Sequence, residues 1–253
     1  MASRQCNLEC VKDQREGEVI EFVGPVKIVL VDQPTNVYRR RVWGASFIVL
    51  AQMLMAATTM TLLFYALSYK TDFFVALHVF VCTVGYQLFV PSAILSLNKQ
   101  NGAAAPMRIP DRQFEHVLLM FLGIAMAVGA TVTLFLTGKI FKNFTLHAFS
   151  GLVAALFAVL TVLSGLILYG FFETPEVIAR FQNISRLINV AHRSLGAITF
   201  SLSSLCFMLG ICTPKFQLWV PVPQMIGFLL IFCFLYTAVV LYRPLWKILG
   251  KVF

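Results

Sequence analysis

Six long stretches of the chain are almost unbroken in their apolar character, at approximately residues 43–67, 73–96, 114–137, 145–170, 190–213 and 219–243, and polar residues gather in the segments between them. Each reaches the length of about 20 residues needed to cross roughly 30 Å of hydrocarbon. Lipid offers no partners to backbone N–H and C=O groups, so such runs must satisfy them internally, as helices. Pro91, inside the second run, predicts a kink rather than a break. The pattern predicts an all-α integral membrane protein, a six-transmembrane-helix bundle. It divides the chain into a cytosolic N-terminal segment (1–42), a transmembrane domain (43–243) and a short cytosolic C-terminal tail (244–253). Within the first segment, VIEFVGPVKIVLV from residue 19 alternates like a strand and fits either a local fold or a mobile tail.

Composition points the same way. Of 253 residues 59% are hydrophobic and 12% charged, with a mean hydropathy of +0.82, which excludes an ordinary soluble fold. The first apolar run begins too far into the chain to be the core of a cleaved signal peptide. With a cytosolic N-terminus, sixteen of the 20 Lys and Arg residues fall on the cytosolic side, leaving Lys70, Lys139, Lys142 and Lys215 on the other. That bias satisfies the positive-inside rule with both termini cytosolic. It also accounts for the net charge of +9, so no nucleic acid is implied. Cys82, Cys206, Cys212 and Cys233 lie in or at the ends of apolar runs and read as small buried hydrophobes. Cys6 and Cys10 lie in the cytosolic segment, where a disulfide is not expected and lipidation is a secondary reading.

The chemistry-bearing residues are the four histidines, His78, His116, His147 and His192, one near the start of each of helices two to five. An ionisable residue inside a membrane span is a functional hypothesis by default, although a single one can serve to bond a neighbouring helix. Because helices alternate in direction, His78 and His147 belong near the outer surface and His116 and His192 near the inner one. Two imidazoles facing each other across a helical bundle can supply both axial ligands of a flat macrocycle, so two pairs imply two haems. Glycines accompany the histidines: Gly151 and Gly165 follow His147 by four and eighteen residues, Gly196 and Gly210 follow His192 by the same offsets, and Gly85 and Gly123 follow His78 and His116 by seven. The spacing places them on the histidine faces, where they would make room for a porphyrin; their alternative use is close helix packing. Zinc would need four ligands around one point, which two separated pairs do not provide. There is no C-x-x-C-H motif, so the haems would be non-covalent, b-type.

The segments AL-His78-VFVCTVG, FE-His116-VLLMFLG, TL-His147-AFSG and VA-His192-RSLG resemble those of the cytochrome b561 family, in particular its short branch with a bare six-helix domain, over approximately residues 43–243. The resemblance implies a four-helix di-haem core binding two haem b groups, flanked by helices one and six. It further implies ascorbate-driven electron transfer, with a ferric chelate or monodehydroascorbate as acceptor on the far side, hence a transmembrane oxidoreductase. No segment is large enough for a flavin or nicotinamide domain, and no G-x-G-x-x-G loop is present, so the donor is expected to be small and diffusible or a separate protein.

An ascorbate anion would want cations near the inner pair. Lys99, Arg108, Arg112, Arg186 and Arg193 are the candidates there, and Lys70, Lys139 and Lys142 are those on the outer side; topology, haem propionates or lipid phosphates account for them equally well. Asn143 heads a sequon too close to the helix bearing His147 to be used, and Asn183 heads another in an expected cytosolic loop. An endomembrane, of the endoplasmic reticulum or a vesicle, is expected ahead of the plasma membrane, and a homodimer is compatible with the reading. Three alternatives share some of these features: a proton-coupled transporter with histidine relays, a quinol-linked cytochrome b subunit of a larger complex, and a haem-free structural subunit. The first predicts charges near the midplane, which the central turns lack.

Overall fold

The computed structural model describes residues 34–68, 72–138, 144–171 and 182–252. Six helices are long and apolar enough to span a membrane: α1 (Thr35–Ser68), α2 (Phe73–Ser96), α3 (Ile109–Leu136), α4 (Leu146–Phe171), α5 (Gln182–Ile211) and α6 (Gln224–Val252). No strand occurs among the described residues. The strand-like stretch from residue 19 lies outside them, as do Cys6, Cys10 and Asn143.

The apolar runs mark the helices but not their ends. α1 begins before residue 43 and carries the Arg39 to Arg41 triplet, α5 begins before residue 190, and α6 starts later and continues past residue 243. A helix satisfies its own backbone and need not stop where the hydrocarbon does, so hydropathy reports only the part that lipid would surround. Asn183, expected in a loop, therefore sits in the first turn of α5. Residues 214–218, in the expected break, and Trp219, counted as the start of the last run, form a separate short helix, Pro214–Trp219.

Pro91 has its expected local cost, taken up in an unexpected way. α2 is α-helical to Cys82, widens to a π-helical stretch over Thr83–Phe89, and resumes as α-helix from Val90. The proline cannot donate to the carbonyl four residues back, and its ring would crowd that turn. The wider stretch, in which the N–H of Val90 donates to the carbonyl of Gly85, lets the helix continue through the site.

The helices pack in chain order as a closed ring: α2 against α3, α3 against α4, α4 most extensively against α5, α5 against α6, and α6 with α1, which returns to α2. Helices α2 to α5 thus form a four-helix core, and α1 and α6 flank it. Within the ring, α2 and α4 stand on one diagonal and α3 and α5 on the other. Side chains from all six helices meet in a central cluster that includes Met55, Val90, Ile124, Ala158, Phe200 and Tyr236. Tyr236 donates a hydrogen bond to Oε1 of the buried Gln87 in the π stretch, tying α6 to α2 across the middle of the bundle. Thr161 of α4 and Thr199 of α5 join their hydroxyls at 2.9 Å. At one end the short helix packs Phe216 and Trp219 on Tyr65 of α1, with ring centroids 5.0 and 5.3 Å apart, and Trp219 donates to Ser68 Oγ at 3.1 Å. Large apolar side chains such as Met53, Phe64, Leu163 and Phe234 remain exposed on the outside, as suits a surface whose solvent is lipid.

Candidate functional site

The ring of helices places the four histidines in two separate pairs on the two diagonals. His78 of α2 faces His147 of α4 with ring centroids 6.3 Å apart and planes at 84°. His116 of α3 faces His192 of α5, also at 6.3 Å, with planes at 86°. The pairs are those that alternation of helix direction implies. His192 is nearly three turns into α5, rather than near its start, because that helix begins earlier than its apolar run.

Each pair can be tested against a metal held between two rings. A metal–imidazole bond of about 2 Å on either side, with roughly 1 Å from each nitrogen to its ring centre, requires centroids about 6 Å apart. Both pairs meet that requirement. The far nitrogens are also arranged as ligands need. Nδ1–H of His116 donates to the carbonyl of Ala93 (2.7 Å), that of His147 to the carbonyl of Cys206 (2.8 Å), and that of His192 to the carbonyl of Thr161 (3.2 Å). A carbonyl only accepts, so Nδ1 carries the proton and Nε2 keeps its lone pair. Ser164, whose hydroxyl donates to the carbonyl of Thr161 (2.9 Å), presents its lone pairs to His192 Nδ1 at 3.1 Å. Among the described residues no three His, Cys, Asp or Glu side chains are placed to share one metal ion, so a site with two protein ligands fits and a tetrahedral zinc site does not. Two axial imidazoles on an iron whose remaining bonds come from a macrocycle match that donor set.

The glycines divide into three uses. A Cβ on Gly165 would stand 3.0 Å from Cε1 of His192, and one on Gly210 would stand 3.2 Å from Cε1 of His147. Since α4 and α5 run antiparallel, the glycine eighteen residues beyond each histidine makes room for the imidazole of the other helix. Gly151 and Gly196 lie in the α4–α5 contact, against Cys206 and Thr161. Gly85 and Gly123 instead face each other: a Cβ on Gly85 would be 2.5 Å from the carbonyl oxygen of Gly123, and one on Gly123 would be 2.9 Å from that of Gly85. These two let the backbones of α2 and α3 touch. They are packing glycines, not part of a porphyrin cradle.

A cavity of about 810 Å³ opens beside His116 and His192 at the end of the bundle that carries Lys99, Arg108 and Arg186, the basic end. Of the five cations expected near this pair, only Arg193 lines it. Lys99 and Arg186 are exposed outside it, and Arg108 pairs with Asp111 at 2.9 Å. Arg112 is buried with Nε unpartnered but does not reach the cavity wall. The other two cations on the wall, Arg243 and Lys247, come from α6, four residues apart and hence on one helix face. They escape notice in the sequence because the last apolar run ends at residue 243, whereas the helix continues through Pro244. No acidic side chain of the described residues lines this cavity, while Gln113, Asn189 and Tyr169 add polar groups. Lys70, Lys139 and Lys142 lie outside the described residues.

A family model described as eukaryotic cytochrome b561 matches residues 77–217, which is 141 of the 253 residues and includes all four histidines. No curated protein sequence matches the chain at a significant level.

Proposed function

The chain belongs to the eukaryotic cytochrome b561 family and is thus a membrane-integral oxidoreductase that binds haem b and transfers electrons, and from that premise we propose that it carries them from cytosolic ascorbate, or a similar small reductant, to a ferric chelate or monodehydroascorbate on the opposite side. His116 and His192 hold one haem at the basic end, which faces the cytosol together with both termini, and His78 and His147 hold a second at the far end. Haem b, when bound, supplies the one-electron iron chemistry; the protein supplies ligands, orientation and exclusion of water. The observation that carries the reading is the pair of 6.3 Å imidazole separations at opposite ends of one bundle. An endomembrane is the proposed location.

The residues at the basic end suit an anionic donor. Arg193, Arg243 and Lys247 bring three positive charges to a cavity without a carboxylate, beside the imidazoles of His116 and His192. They can hold propionates, an ascorbate anion, or both in turn, because both are oxygen anions that accept charge-assisted hydrogen bonds. Each cation that pairs with an anion in a cavity open to water is worth on the order of 1 kcal/mol. Removing Lys247 or Arg243 as alanine is therefore expected to raise the KM for ascorbate about fivefold, whereas Arg186→Ala, outside the cavity, leaves it unchanged. Steady-state ascorbate oxidation by the three variants in vesicles checks this; equal effects from all three would show that bulk surface charge, not the cavity, attracts the donor.

The reading as a whole is tested by the reduced-minus-oxidised absorption spectrum of the purified protein, with haem quantified per chain and ascorbate as reductant. Low-spin b-type bands from two haems per chain, developed by ascorbate, are expected. Two haems reducible by dithionite but not by ascorbate would keep the cofactor and remove the donor. A colourless protein from haem-replete cells would remove both.

A further inference from the structure

The four imidazoles differ in what their far nitrogen meets. In His116, His147 and His192, Nδ1–H donates to a backbone carbonyl at 2.7, 2.8 and 3.2 Å. At His78 the neighbour is the thiol of Cys82, one turn later on the same helix face, at 3.5 Å, with the Ala130 carbonyl also in reach. The thiol is oriented. Its S–H donates to the carbonyl of Ala127 across the α2–α3 contact at 3.5 Å, which turns the sulfur lone pairs towards His78. Cys206 repeats part of this pattern at His147, where its sulfur lies 3.4 Å from Nδ1 beside the stronger carbonyl bond. Among the described residues the His116–His192 pair has no sulfur at hydrogen-bond distance and instead has the Ser164 hydroxyl.

A thiol sulfur is a weak acceptor and a carbonyl or hydroxyl oxygen a strong one. A hydrogen bond from the far ring nitrogen raises the basicity of the ligating nitrogen, and a more basic ligand favours the more positive oxidation state of the metal. We infer that Cys82 is a positioning residue that, through His78, holds the reduction potential of the far-end centre above the value an oxygen acceptor would set. This favours arrival of the electron at that centre from the basic end. The inference rests on the ligand assignment proposed above and adds to it a role for a cysteine whose ordinary reading is a small buried hydrophobe.

The test is a spectroelectrochemical titration of the full-length, haem-loaded protein in lipid nanodiscs, with Cys82→Ser and Cys82→Ala beside the wild type. Cys82→Ser puts an oxygen acceptor where the sulfur was. It is expected to lower the reduction equilibrium constant of the His78–His147 centre about three- to tenfold, tenfold being 59 mV for one electron, and to leave the other centre unchanged. Cys82→Ala removes the sulfur and leaves the Ala130 carbonyl as the acceptor in reach, so it is expected to lower the same midpoint in the same direction, which keeps the inference testable if the serine variant loses haem. Unchanged midpoints in either variant, an equal shift of both centres, or a rise in the alanine variant would overturn it. The centres are assigned with His78→Ala: if that variant keeps both haems, the ligand reading itself is wrong; if it loses one while Cys82→Ser shifts nothing, only the present inference fails.

Discussion

Replacing His116 or His192 with alanine is expected to halve the haem bound per chain, from two to one, and to abolish reduction by ascorbate from the basic side while the other centre stays reducible by dithionite. The facing ring centroids are 6.3 Å apart, and among the described residues no third His, Cys, Asp or Glu is placed to join either pair as a metal ligand. Loss of a group that merely supports a ligand weakens metal binding roughly 10–100-fold. Loss of the ligand itself should exceed that and empty the centre on purification. His78→Ala and His147→Ala are expected to do the reverse, sparing reduction of the basic-end centre and blocking delivery to the acceptor. Pyridine haemochrome quantification of each variant reads the outcome. Full retention of both haems in any one of the four would refute that residue's assignment.

Gly85→Val is expected to be the most damaging substitution away from the histidines. A Cβ there would lie 2.5 Å from the carbonyl oxygen of Gly123 and 3.2 Å from atoms of Ala127, so backbone, rather than the tip of a flexible side chain, would have to move. Small residues at such crossings let membrane helices approach closely, and without a hydrophobic driving force between helices in lipid that close packing is much of what holds them. Overpacking of a well-filled interior costs about 1–3 kcal/mol, with the upper end expected where backbones collide. Separation of α2 from α3 would also draw Cys82 away from Ala127 and His78 away from His147. A marked fall in thermal stability and in haem retention follows, measurable by size-exclusion after heating in detergent. Gly129→Ala, which meets nothing within 4 Å, is the matched control and should behave as wild type. Equal behaviour of the two variants would mean that the α2–α3 crossing is looser than the structure has it.

Much of the candidate site can be read along the chain, because its logic is one-dimensional. Six apolar runs impose six spans, alternation imposes their directions, and four histidines on four consecutive spans then sort into two layers. The resemblance of the segments around His78, His116, His147 and His192 to cytochrome b561 points to the same cofactor from a separate direction, and the family match includes them all. The cations are another matter. The expected positive-inside bias assigns sixteen basic residues to one side for reasons of topology, and in the sequence that uniform signal hides the three that line the cavity. Arg193 stands out by following His192 directly, but Arg243 and Lys247 have no histidine on their helix to mark them.

What the sequence determined by itself is the set of elements that lipid compels: the number of helices, their order, and the layer to which each histidine belongs. These follow from the cost of an unpaired backbone group in hydrocarbon, which is large and acts on every residue of a span irrespective of its neighbours. What only the tertiary structure decided depends on contact between residues far apart in the chain. The glycines of α4 and α5 serve each other's histidines, Gly85 and Gly123 serve the crossing of α2 and α3, and the π stretch delivers Gln87 to Tyr236. Each involves packing worth a few kcal/mol at most, set by the shape of the facing helix. A run of apolar letters cannot show which helix that is.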